Sequence, residues 1–304
     1  MKGIYHHLPD PRIIEEIAEL NKNKSIENPD LFSPKSDRYK IERVVHNTLF
    51  DWNDERKLWL VKKSAGFDDI ENYLHAYAIH RANNQLNEAC NKLWPCLEFI
   101  NAISKKISLE TNYPRIGSKF QREFTAGTTI PNLYYSHLSS LLAIMSTFGF
   151  ISIYLRPNRF YNLIRTPDGW KLYERKKYMK EICCKNTKGW HYQLIDLYEF
   201  LMNNLEGFPQ TDLSKSIQLL DYRNQSQYDV LGGVSVSASM GFNLVFRYMP
   251  FIFNTLATAF RIIKKSHSIT NYSDSRFEEL CEKLPQLYEN YYKEFPKNDY
   301  DLEI

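Results

Sequence analysis

Arg223 and Tyr228, separated by Asn224, Gln225, Ser226 and Gln227, set a guanidinium and a phenol near one another in the chain. A guanidinium holds a phosphate through paired N–H donors, and a neighbouring amide or phenol can add hydrogen bonds beside it. The phenol, with an ordinary pKa of about 10, is a poor general base at neutral pH, whereas an imidazole is poised for proton transfer. His191, following Trp190 where a helix is expected to open, is a histidine that could be delivered to the same place from elsewhere in the chain. Each of these residues also has a plainer use. Arg223 and Asn224 suit the exposed carbonyls of a helix C-terminus, Tyr228 can pack in a loop, and His191 can be structural.

A second constellation runs from Arg156 to Lys188, where Arg159, Arg165, Lys171, Arg175, Lys176 and Lys177 interleave with Phe160, Tyr161, Trp170, Tyr173 and Tyr178. Such a surface could hold a phosphodiester backbone while stacking unpaired bases. Its bland counterpart is a solvated hairpin with aromatics packed beneath. Other pairings are weaker. Arg261 and His267 lie at the basic end of a long helix beside Lys264 and Lys265. His75 and His80 are spaced to diverge on a helix, and Cys183, Cys184 and His191 lack a second ligand pair, so no metal site is expected. No phosphate-binding glycine motif, serine elbow or kinase signature is present, and no cofactor is expected.

The elements that must position these residues follow from pattern. The 304 residues are 43% hydrophobic and 14% aromatic, with 21 Tyr and 18 Phe, enough to build a large core. A net charge of +3 is mild; it permits nucleic-acid binding without demanding it. Five cysteines without framework spacing point to reduced thiols, and the N-terminus lacks the apolar run of a signal peptide, so a cytoplasmic protein is expected. The apolar stretches from Leu133 to Leu155 and from Phe242 to Ile263 carry polar residues, with Arg247 and Arg261 in the second. They are read as core segments rather than membrane spans.

A short helix from Pro11 to Leu20 precedes Asn-, Lys- and Pro-rich sequence, so residues 1–66 are read as an arm and cap. Between Arg38 and Lys63 helix and strand both fit the pattern. Residues 67–304 are read as a helical domain. A long helix from Asp68 or Asp69 should break near Pro95, and another should begin at Pro131 and run to Phe148. FISIYL, the turn Pro167-Asp168-Gly169 and WKLYERK predict an inserted β-hairpin. Trp190, Leu194, Leu197, Tyr198, Leu201, Met202 and Leu205 share one face of a helix that Gly207 can end. A shorter helix from about Asp212 to Arg223, a long apolar helix to Lys265 and a Tyr-rich helical tail interrupted near Pro285 complete a mainly α reading.

Three segments carry a resemblance: Asn132 to Leu142, containing Tyr134, Tyr135 and His137; Trp190-His191; and Leu220-Asp221-Tyr222-Arg223-Asn224-Gln225-Ser226-Gln227-Tyr228-Asp229. Together they resemble the HEPN superfamily in its variant with Tyr after the spacer, over a core of about 131–265. The layout is also similar to that of YaaC-like bacterial proteins. The HEPN resemblance implies a helical bundle that forms a homodimer, binds RNA or a nucleotide-bearing partner, and belongs to a bacterial defence or toxin-related setting. In the nuclease branch, Arg and His at a dimer cleft cleave RNA without metal; Tyr228 occupies the His position here. Metal-independent ribonuclease and helical interaction scaffold are the alternatives.

Overall fold

The structure, a computed structural model, describes residues 5–16, 50–53, 58–61, 67–109, 119–155, 159–186, 189–228 and 238–268. The expected tail helix with Pro285 and the Gly232-Gly233 loop lie outside these residues. The architecture is mainly helical. A 3-10 turn at Tyr5–His7 and a helical turn at 13–16 precede strands β1 (Phe50–Asn53) and β2 (Leu58–Val61). Helices α1 (Phe67–Leu109) and α2 (Lys119–Thr147) follow, then β3 (Phe150–Leu155), β4 (Arg159–Thr166) and β5 (Gly169–Glu174). The chain continues through α3 (Arg175–Glu181), α4 (Trp190–Asn204), α5 (Leu213–Tyr228) and α6 (Ala238–Ser268).

The chain divides into two compact units that interleave along the sequence. One comprises Met1–Asn84, Leu142–Gln210 and Ile262–Tyr272; the other comprises Gln85–Leu141, Thr211–Arg261 and Ser273–Ile304. Residues 1–66 and 67–304 therefore do not correspond to the units one to one.

In the first unit the expected hairpin is part of a larger sheet of order β1-β2-β5-β4-β3, antiparallel throughout. Its β4–β5 turn is Pro167-Asp168. Gly169 follows at φ +104°, a value side-chain-bearing residues rarely adopt, and its carbonyl accepts the Thr166 hydroxyl at 2.9 Å. Alternation along the strands puts Ile151, Ile153, Tyr161, Leu163, Trp170 and Leu172 in one core with Leu74, Tyr77 and Ala78 of α1 and Ile13. On the opposite face, Tyr178 of α3 meets the rings of Phe150, Tyr173 and Phe200. Both faces being covered, residues 161–166 are buried without a break.

The N-terminal segment is stitched onto this sheet. The Asp10 amide donates to the Arg165 carbonyl at 2.7 Å, Lys171 Nζ donates to the His6 carbonyl at 3.1 Å, and the Tyr178 hydroxyl donates to the His7 carbonyl at 2.9 Å. Arg165 is the hub: its Nη2 reaches Glu16 at 2.9 Å, and its Nε lies 3.2 Å from Glu71 of α1, at ion-pair distance but without hydrogen-bond alignment. His75, edge-on to Trp170, joins through Nε2 to Glu16 at 3.2 Å. The His75 hydrogen bond and the Arg165 charge hold the Glu16 carboxyl below its usual range against the opposing effect of burial. Removing the shared cation strands two half-buried carboxylates. Arg165→Met is therefore expected to cost about 3 kcal/mol in urea unfolding, and a loss below about 0.5 kcal/mol would contradict the hub.

In the second unit the described residues are helical apart from Thr211 and Asp212, and are drawn from α1, α2, α5 and α6. Leu86, Ala89, Leu93, Leu133, Leu141, Leu219, Ile252 and Leu256 are buried, the leucines each contributing roughly 2 kcal/mol by leaving water. Ser136 donates to the Ala89 carbonyl at 2.9 Å, and Tyr248 donates to Gln218 Oε1 at 2.7 Å. Asp212 caps α5, its Oδ1 accepting the amides of Ser214 at 3.1 Å and Lys215 at 3.3 Å.

Two expected breaks are absent. α1 runs through Pro95, where the carbonyl that loses its amide belongs to Asn91, on the same exposed side. α2 begins at Lys119, twelve residues before Pro131, which lies inside it.

Candidate functional site

Arg223, Asn224 and Tyr228 all lie on α5, which continues past the expected end at Arg223. Arg223 and Asn224 are thus helix-interior residues and not a C-terminal cap. The Arg223 guanidinium sits over the Tyr135 ring of α2, 5.3 Å from its centroid, and its Nη2 donates to the Tyr135 hydroxyl. Its Nη1 donates to Asn224 Oδ1 at 2.9 Å. Both of these oxygens are neutral, and the two bonds orient the guanidinium. Five positions along a helix separate Tyr228 from Arg223 by about 140° around the axis, and Tyr228 is the final residue of α5. His191, half-buried at the start of α4, belongs to the first unit, while Arg223 belongs to the second.

The histidine within the second unit is His137 on α2, fully enclosed. Its Nε2 meets Ser216 Oγ at 2.7 Å, its ring lies 4.6 Å from that of Phe251, and its Nδ1 has no hydrogen-bond partner among the described residues. Ser216 also donates to the Asp212 carbonyl at 3.4 Å. Burial holds the pKa of His137 down to about 3. Such a group is neutral at physiological pH and has no solvent route to exchange protons with a substrate. His137 sits within the Tyr134-Tyr135 segment, but nothing local in the sequence pairs it with Ser216.

The basic residues of the inserted sheet divide sharply. Arg165 and Lys171 are buried and engaged, Lys171 Nζ with Asp168 at 2.9 Å and Arg165 with the two glutamates. Arg175 is 1% exposed. Lys176 is exposed and Lys177 half-buried, while Arg159 opens β4. Of the six cations read as one basic surface, three are thus buried: Arg165 and Lys171 on the sheet and Arg175 at the start of α3.

Arg175 has a distinctive environment. It opens α3, and its guanidinium carbon lies 5.0 Å from the Phe160 ring centroid and 5.6 Å from that of Trp190. Its Nε donates to Asn162 Oδ1 at 3.1 Å. Among the described residues Nη1 and Nη2 have no hydrogen-bond partner; nor have Asn162 Nδ2 and Trp190 Nε1. Ring contacts of this kind supply roughly 1 kcal/mol each, against several kcal/mol for taking an ion out of water. The shortfall appears as a pKa lowered by burial to about 9. An Asn set between Phe160-Tyr161 and Leu163-Ile164 in β4 was the available sequence signal.

Among the described residues no three His, Cys, Asp or Glu side chains are grouped as a metal site needs, and no helix is long and apolar enough to cross a membrane. Comparison with protein-family models, curated proteins and solved structures finds no match.

Proposed function

We propose that the chain is a HEPN-like helical protein that binds RNA or a nucleotide-bearing partner without cleaving it. The observation that supports this reading is Arg223, a cation fixed on α5 by the neutral oxygens of Tyr135 and Asn224. A guanidinium oriented in this way presents the planar fork of donors that suits two phosphate oxygens. The absence of proton-transfer chemistry is argued from Tyr228 at the position where nuclease relatives carry His, and from His137 being sealed in the interior with a pKa near 3. A homodimer and a role in bacterial defence come with the resemblance and stand or fall with it.

Purified protein should bind single-stranded RNA at low salt, lose affinity as salt rises, and leave the RNA intact with or without Mg²⁺. Arg223→Gln should weaken binding about tenfold while Lys176→Gln, on the other unit, has a smaller effect. Metal-independent cleavage abolished by Arg223→Gln in a folded protein would select the ribonuclease reading. No binding at low salt would select the interaction scaffold.

A further inference from the structure

The geometry points to a second site, in the sheet-bearing unit: an oxyanion-binding site built around Arg175, which takes a phosphate or carboxylate group of a small molecule between Nη1 and Nη2. This inference is independent of the reading of Arg223, which belongs to the other unit.

The fork is fixed before any ligand arrives. Asn162 Oδ1 takes the Nε–H at 3.1 Å, and the Phe160 and Trp190 rings, at 5.0 and 5.6 Å, hold the guanidinium. Three anchors, two on β4 and one on α4, leave the two terminal nitrogens as the donors still to be satisfied among the described residues. Two parallel N–H donors match two oxygens of a phosphate or carboxylate, the bidentate arrangement in which Arg excels. Asn162 supplies a further donor from Nδ2, on the amide already bonded to Arg175, and Trp190 carries an unsatisfied Nε1–H on one of the flanking rings. The surroundings thus offer donors, and the contacts assigned to Arg175 are an amide oxygen and two rings rather than a carboxylate. The two rings over the guanidinium, Phe160 and Trp190, are themselves only half-buried, so the Arg175 fork lies one side chain beneath the surface. The other two buried cations described in this unit differ: Arg165 and Lys171 each already face an acid.

Thermal unfolding of the full chain tests the assignment, with inorganic phosphate in one arm, acetate in the second and chloride at matched ionic strength as the reference. Phosphate or acetate should raise Tm saturably by about 3 °C over chloride, and the more effective arm names the class of anion. Asn162→Asp places a carboxylate beside the guanidinium and should abolish the response. Arg175→Met should abolish it as well, and Trp190→Phe, which removes only the N–H donor and trims the ring, should reduce it. A rise no greater than that in chloride would overturn the site. So would a rise of equal size in Arg175→Met or, where that variant does not fold, in Asn162→Asp.

Discussion

Gly149→Ala is expected to destabilise the protein by about 3 kcal/mol, among the largest effects of any single methyl group in the chain. Gly149 joins α2 to β3 at φ +72°, with its amide bonded to the Ser146 carbonyl at 3.0 Å and its carbonyl accepting the Arg165 amide at 2.9 Å. A Cβ built there would stand 2.6 Å from Ile13 Cδ1 and 2.8 Å from Arg165 Cβ. The isoleucine tip can swing aside. The arginine Cβ cannot move without its strand, and displacing it disturbs the ion pairs to Glu16 and Glu71. Gly207 provides the control, because its φ of +73° is nearly the same while a Cβ would meet nothing within 4 Å. Gly207→Ala should therefore cost only the backbone term, about 1 kcal/mol. Urea unfolding of the two variants separates the contributions; equal losses would remove the steric argument.

Lowering the pH from 7 to 5 should cost about 2 kcal/mol through His137 alone. The folded pKa, near 3, lies below the unfolded value of about 6.5. Between these values the unfolded chain binds a proton that the folded chain refuses. Stability is therefore unaffected above pH 6.5 and declines as pH falls towards 3, by up to about 1.4 kcal/mol per pH unit. The window from pH 6.5 to 5 precedes titration of most carboxylates. His137→Leu should flatten the profile there, since the replacement does not ionise and Ser216 retains the Asp212 carbonyl. Burial also lowers the pKa of His7, which acts in the same direction in both proteins and cancels in the comparison. Parallel profiles for wild type and His137→Leu would show that the buried imidazole is not the source.

What could be read from the sequence divides according to range. The α4 face was legible because Leu194, Leu197, Tyr198 and Leu201 repeat at helical spacing within a few turns, and all are buried. The Pro167-Asp168-Gly169 turn was legible because it needs a positive φ immediately after two turn-forming residues. Pro95 and Pro131 misled because proline states a local cost, and the packing of a 43-residue and a 29-residue helix outweighs it. The ends of α5 show both outcomes. Asp212 announced the start, but Arg223 did not mark the end. The fates of Arg165 and Arg175 were illegible. Whether a cation in a strand faces water or the interior depends on which helices return to cover the sheet, and the Glu16 partner of Arg165 lies 149 residues away.

The stitching of residues 5–16 onto the sheet sets an order of events during synthesis. The His7 carbonyl must wait for Tyr178, 171 residues later in the chain. At a translation rate on the order of 10 residues per second, that is a delay of about 17 s. Throughout that interval Ile13 and the acids Asp10 and Glu16 emerge with no sheet to receive them. Residues 5–16 are therefore a stretch whose apolar side chains need shielding during that interval, and the acidic residues beside Ile13 and Ile14 are the gatekeepers that oppose its aggregation until β3, β4 and β5 have left the exit tunnel.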